Sequence, residues 1–162
     1  KGFGKIVYGF LRRDCWFLGD LDDKSLAHCA LYYNLEETLM PTLSVNGKHG
    51  TFQEDKRLVL AIKELGVTIG HRCGGNARCT TCRVEFSSGE PDTMTKAEYD
   101  KLEEKGLLGQ VRLSCQLTCS QDMALNAVMT LDNQTWTDTG PQPAETVMPE
   151  GVWFAKAELE NA

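Results

Sequence analysis

From Thr42 onward, apolar and polar residues alternate along the chain. Leu43 and Val45 are flanked by polar neighbours, Asn46-Gly47 is a two-residue hairpin signal, and Thr51-Phe52 begins the return strand. The period then changes. Leu58, Ala61, Ile62 and Leu65 recur at helical spacing behind Glu54-Asp55, and Gly66 closes that helix. Arg83-Val84-Glu85-Phe86 reads as a strand that ends at Ser87-Ser88-Gly89 and Pro91. Thr95, with Glu98 three residues on, forms a capping box for a second helix carrying Tyr99 and Leu102 as far as Gly106. Val111-Arg112-Leu113 and Met123–Val128 supply further strand-like stretches. Strand, hairpin, helix, glycine-bearing loop, strand, helix and strand make an α+β layout without internal repeats.

The two ends differ from this middle, and three sections are expected: 1–41, 42–131 and 132–162. In the first, Asp22 or Asp23 can cap a helix through Leu26, Cys29, Ala30, Tyr33 and Leu35 that Pro41 stops. Its start is basic and aromatic, with Arg12-Arg13 and Trp16-Phe17-Leu18. Such a segment suits a membrane surface or a partner's groove, or packing against its own domain or a sister subunit. After Asn133 the chain turns polar, with Pro141, Pro143 and Pro149, and reads as an acidic tail draped on the surface or disordered when alone.

Charge sharpens this division. The net charge of −6 argues against nucleic acid as the main partner. Residues 42–118 are nearly neutral, with eleven Lys/Arg against ten Asp/Glu, whereas residues 119–162 carry one against seven. Hydrophobic residues, at 41%, are enough for a core, and no apolar run is long enough to span a bilayer. No secretory signal pattern opens the sequence.

The seven cysteines carry the chemistry. Three fall within ten residues, too tightly for a disulfide framework, and without export signals this clustering points to metal ligation in a reducing compartment, the cytoplasm or an organelle interior. The stretch His71-Arg72-Cys73-Gly74-Gly75-Asn76-Ala77-Arg78-Cys79-Thr80-Thr81-Cys82 has the spacing C-x5-C-x2-C, with Cys115 and Cys119 downstream. Four thiolates are what one [2Fe–2S] cluster needs, two for each iron. A short loop can present three of them only by wrapping tightly. Gly74 and Gly75 permit this, because without Cβ they tolerate positive φ and let amide N–H groups approach sulfur. The hydroxyls of Thr80 and Thr81 and the charge of Arg78 add polar support around an anionic cluster. Zinc sites more commonly pair two short CxxC knuckles, and this loop has one. Rieske sites need paired Cys-x-His motifs, so His71 is not a ligand on this reading.

The run Cys73-Gly74-Gly75-x-x-x-Cys79-x-x-Cys82-Arg83-Val84, with Arg112-Leu113-Ser114-Cys115-Gln116 downstream, resembles the adrenodoxin-type and bacterial [2Fe–2S] ferredoxins. The five-residue first gap separates these from plant-type ferredoxins, whose gap is four. The resemblance covers residues 42–131. It implies a β-grasp fold (a mixed sheet with a helix packed across it), ligation by Cys73, Cys79, Cys82 and Cys115, and single-electron transfer without substrate conversion. It selects Cys115 over Cys119, because only Cys115 stands in the family's R-L-[SA]-C-Q context. Cys119, Cys15 and Cys29 are then expected to be buried thiols.

The resemblance also implies acidic docking residues on the helix after the cluster strand. Here that segment offers Glu98, Asp100, Glu103 and Glu104, interleaved with Lys96, Lys101 and Lys105 at spacings that equally suit a solvated face laced with ion pairs. The expected partners are redox proteins, either a reductase and an acceptor or sister subunits of a complex. The alternatives are an assembly subunit that keeps the fold without redox use, and a zinc-binding interaction module.

Overall fold

The structure is a computed structural model that describes residues 40–160. The N-terminal helix expected over residues 22–35 and the aromatic start before it lie outside the described residues.

The hairpin forms as its sequence requires. Strands β1 (Thr42–Val45) and β2 (Lys48–Thr51) pair antiparallel, and the turn residues Asn46 and Gly47 take φ of 49° and 80°. Asn and Gly reach that left-handed region more easily than other residues, which is why this dipeptide closes two-residue hairpins. Strand alternation then sorts β1, burying Leu43 and Val45 and leaving Thr42 outward. Helix α1 (Leu58–Glu64) follows, and Leu58, Val59, Ala61 and Ile62 are fully buried. Gly66, at φ 74°, ends it.

The later strands are β3 (Arg83–Ser88), β4 (Thr93–Thr95), β5 (Arg112–Leu113), β6 (Met123–Ala127) and β7 (Trp153–Ala155). Three of them complete the main sheet, whose order is β2-β1-β6-β3-β5, with β1 and β6 parallel and the other pairs antiparallel. The buried residues of β1, β3, β5 and β6 share one core with α1, among them Val45, Val84, Leu113 and Leu125. A mixed five-stranded sheet with a helix on its inner face is the β-grasp arrangement, an α+β fold.

The capping box expected at Thr95 is half realised. Thr95 Oγ1 accepts the Glu98 amide at 3.2 Å and starts helix α2 (Lys96–Glu104). The Glu98 side chain does not return to the cap. It turns inward, where its carboxylate accepts from Arg112 Nε at 2.9 Å and from the Leu113 amide at 2.7 Å. A buried guanidinium outcompetes the backbone amide as a partner for a carboxylate.

Residues 132–160 lie against this body. Strand β7 pairs antiparallel with β4, and helix α3 (Lys156–Glu160) puts Leu159 into the core. Between β6 and β7 the chain runs along the cysteine loop. The His71 amide donates to Thr139 O at 2.7 Å and the Gly70 amide to Met129 O at 2.8 Å. No described helix is long and apolar enough to cross a membrane.

Candidate metal centre

Between His71 and Cys82 the loop before β3 turns through three left-handed residues: Gly74 (φ 69°), Gly75 (φ 78°) and Ala77 (φ 53°). An L-residue in that region is strained, and here the conformation aims amides at sulfur. The backbone N–H groups of Asn76, Arg78 and Cys79 donate to Cys73 Sγ, and that of Ala77 donates to Cys115 Sγ. Asn76 steadies the turn, its Nδ2 donating to Cys73 O at 2.8 Å. Thr81 Oγ1 accepts from the Arg72 amide at 3.1 Å, which leaves its proton for Cys79 Sγ, 3.2 Å away. Of the two threonines flanked by cysteines, Thr81 is the one that touches a sulfur.

Four thiols gather as two pairs. Cys73 and Cys79 are half-buried and within hydrogen-bonding distance of each other. Cys82 and Cys115 are fully buried and likewise paired, and Cys82 stands close enough to Cys79 to feel its charge. Without a metal, each pair shares protons unevenly. The hydrogen bond from Cys79 lowers Cys73 to about 4, while that same bond and burial push Cys79 upward. Likewise, the hydrogen bond with Cys82 lowers Cys115 and raises Cys82. Two adjacent thiolate pairs, supplied with N–H donors, fit the two irons of a [2Fe–2S] cluster.

Cys115 arrives from β5, the strand paired with β3. The Ser114 amide and hydroxyl both donate to Cys82 O, at 3.0 and 2.8 Å, so the 3₁₀ turn Ser114–Gln116 is fastened to the end of the loop. Gln116 Nε2 lies 3.7 Å from Cys115 Sγ and donates to Met148 O at 2.7 Å. Cys119 stands apart. Its amide bonds Lys56 O, its charged neighbours are Lys56 and Glu64 rather than a cysteine, and burial pushes its thiol up to about 11.

Gly74 and Gly75 stand where the turn needs them, and the Arg78 side chain is exposed on the loop. The acidic helix face needs a correction at one position. Glu98 is fully buried against Arg112 and is not available to a partner. Asp100, Glu103 and Glu104 are exposed. Asp100 pairs with Lys96 at 2.6 Å, and Glu104 pairs with both Lys101 and Lys105.

Two residues without an expected role lie beside the thiols. His71 is buried, and neither ring nitrogen has a hydrogen-bond partner in geometry, although the carbonyls of His71 and Pro141 are near; burial, with help from the charge of Lys63, lowers its pKa. Arg57 is buried just before α1. Its Nε donates to Cys115 O at 2.9 Å, its Nη1 to Ala144 O at 2.8 Å, and its Nη2 to Gly75 O. The one sequence signal for it is an arginine directly ahead of the apolar run Leu58-Val59-Leu60-Ala61-Ile62.

Residues 43–120 match the 2Fe-2S iron-sulfur cluster binding domain family. A 2Fe-2S ferredoxin-5 of Aquifex aeolicus is 34% identical over 83 residues, 48% of this chain and 85% of that protein. A Na(+)-translocating NADH-quinone reductase subunit of Pseudoalteromonas atlantica is 33% identical over 85 residues, 51% of this chain but 21% of that protein. The chain thus spans about a fifth of the length of the reductase relatives it matches. A [2Fe-2S] ferredoxin from Pseudomonas putida aligns at TM-score 0.44 and 24% identity, over 54% of this chain and 91% of that one. The chain belongs to the bacterial-type [2Fe–2S] ferredoxin family. This family transfers electrons through one [2Fe–2S] cluster.

Proposed function

We propose that Cys73, Cys79, Cys82 and Cys115 bind the cluster, the first two on one iron and the last two on the other. The observation that carries this reading is the gathering of these thiols into two adjacent pairs with amide donors on Cys73 and Cys115. The surroundings of Cys119, the start of α1 with no other cysteine, argue against it as a ligand. Ligand substitution tests the set. Replacing any of the four by Ser abolishes or severely destabilises the visible chromophore, and Cys119→Ser leaves it intact. A colourless Cys119→Ser beside a brown Cys115→Ser would reverse the assignment.

We further propose that the chain works as an electron-relay part of a larger redox assembly in a reducing compartment. Support comes from the NADH-quinone reductase relatives, in which the matched stretch is a minor part of the whole. The exposed edge of the cysteine loop, with Arg72 and Arg78, and the exposed acids Asp100, Glu103 and Glu104 are the polar groups a transient redox contact would use. A free carrier is the second reading, favoured by the Aquifex ferredoxin, most of whose length is matched. Size-exclusion chromatography of the native protein separates them: co-elution with other redox proteins supports the relay, and a lone 18.0 kDa species rejects it.

A further inference from the structure

We infer that Arg57 is a buried counter-charge that raises the reduction potential of the [2Fe–2S] cluster. The inference rests on the four-cysteine ligation proposed above and concerns a residue outside the ligand set.

Arg57 is 1% exposed, its three oxygen acceptors are the neutral carbonyls of Cys115, Gly75 and Ala144, and it lies within hydrogen-bonding reach of the Cys115 side chain. Among the described residues it makes no ion pair with a carboxylate. No other described arginine combines full burial with the lack of a carboxylate partner. Arg112 is buried but neutralised by Glu98 and Glu90. Arg72 and Arg78 are exposed, and the half-buried Arg83 rests on the sulfur of Met129. A charge taken out of water without a counter-ion is expensive, and a fold keeps one only where something nearby compensates it. The anionic groups acting on Arg57 are the sulfurs of Cys115, Cys82 and Cys73.

Reduction adds one electron, and so one negative charge, to the group those sulfurs hold. A fixed guanidinium in a dry setting attracts that added charge more strongly than an exposed one does, and salt screens it little. The guanidinium is also held in place. Gly75 leaves room for it, since a Cβ there would come within 2.9 Å of Nη2, and Ala144 closes the site from the C-terminal segment.

The experiment is a redox titration of the holoprotein, followed by visible absorption and EPR, for wild type, Arg57→Gln, Arg57→Lys and the control Lys48→Gln, an exposed lysine on the hairpin away from the cysteine loop. Arg57→Gln is expected to disfavour reduction at least tenfold, a fall of about 59 mV for one electron. Arg57→Lys keeps the charge and is expected to stay within threefold of wild type, as is Lys48→Gln. An unchanged potential in Arg57→Gln with the cluster intact overturns the inference, and so does an equal fall in the Lys and Gln variants. If Arg57→Gln assembles no cluster, the Lys variant decides. A cluster of near-native potential there supports the counter-charge, and no cluster in either variant shows Arg57 to be a purely mechanical clamp. Failure of the ligation reading looks different, because the wild type itself would then lack the [2Fe–2S] spectrum or would keep it after loss of Cys115.

Discussion

Replacing Glu98 by Gln tests how the second helix is bound to the strand that delivers Cys115. The carboxylate is fully buried, and the Arg112 side chain is 4% exposed. Glu98 Oε1 accepts from Arg112 Nε at 2.9 Å and from the Leu113 amide at 2.7 Å, while Oε2 accepts from Arg112 Nη2 at 3.0 Å. Glutamine keeps one acceptor and turns an NH₂ toward a guanidinium that can only donate. Removing one partner of a buried ion pair costs about 3–5 kcal/mol. Arg112 retains Glu90 at 3.3 Å and the carbonyls of Pro91 and Thr93, so the lower end, about 3 kcal/mol, is expected. For a domain of this size that lowers the midpoint of thermal cluster bleaching by about 10 °C. Because Leu113 lies two residues before Cys115, the variant should also lose iron faster at a fixed temperature. A midpoint within about 2 °C of wild type would refute the reasoning, since that is what an inconsequential surface change produces. The double variant Glu98→Met/Arg112→Met should recover much of the loss, because it leaves no unpaired buried charge.

Other outcomes follow from the same contacts. Gly75→Ala puts a Cβ at a φ of 78°, 2.9 Å from Arg57 Nη2 and 3.1 Å from Pro143 Cβ, so the cluster should decay several-fold faster on exposure to air, followed as loss of visible absorbance. Glu90 is part-buried, which opposes its ionisation, yet the hydrogen bond and charge of Lys156 and the charge of Arg112 hold its pKa below the ordinary 4.5. Its contribution is therefore complete above about pH 4.5 and fades as pH falls through the lowered folded value, where the unfolded chain binds more protons. Glu90→Gln should lower stability at neutral pH and flatten the acid limb of a melting-temperature against pH curve; an unchanged acid limb contradicts the assignment. Glu104→Gln should leave the melting temperature unchanged, because its lysine partners are on the surface and water replaces them.

Much of the fold is legible in the sequence because its signals are local. Asn46-Gly47 announces a hairpin through φ alone, Thr95 caps its helix through a bond three residues long, and the five-residue cysteine gap with its two glycines outlines the loop. Glu98 reads as a surface residue because a capping box describes the helix end and is silent about an arginine fourteen positions away. The packing of residues 132–160 leaves no local trace either. Strands β4 and β7 are three residues each and pair across nearly sixty positions, and the contacts at the cysteine loop are made by backbone groups such as Thr139 O, Ala144 O and Met148 O. Backbone carbonyls belong to every residue, so no side-chain pattern encodes them. Arg57 is hidden for a related reason, since an arginine at a helix start is ordinarily solvated. The role proposed for it rests on the lack of a carboxylate partner among the described residues, which is visible only in three dimensions.

The most direct test of the central claim is a reductive titration of the purified full-length protein with iron, sulfide and EPR quantified on one sample. The account predicts a brown protein with two irons and two labile sulfides per chain. Dithionite should bleach it with uptake of a single electron and yield a rhombic EPR signal approaching one spin per chain. A colourless protein carrying one zinc, or a chromophore that dithionite leaves unchanged, would contradict it.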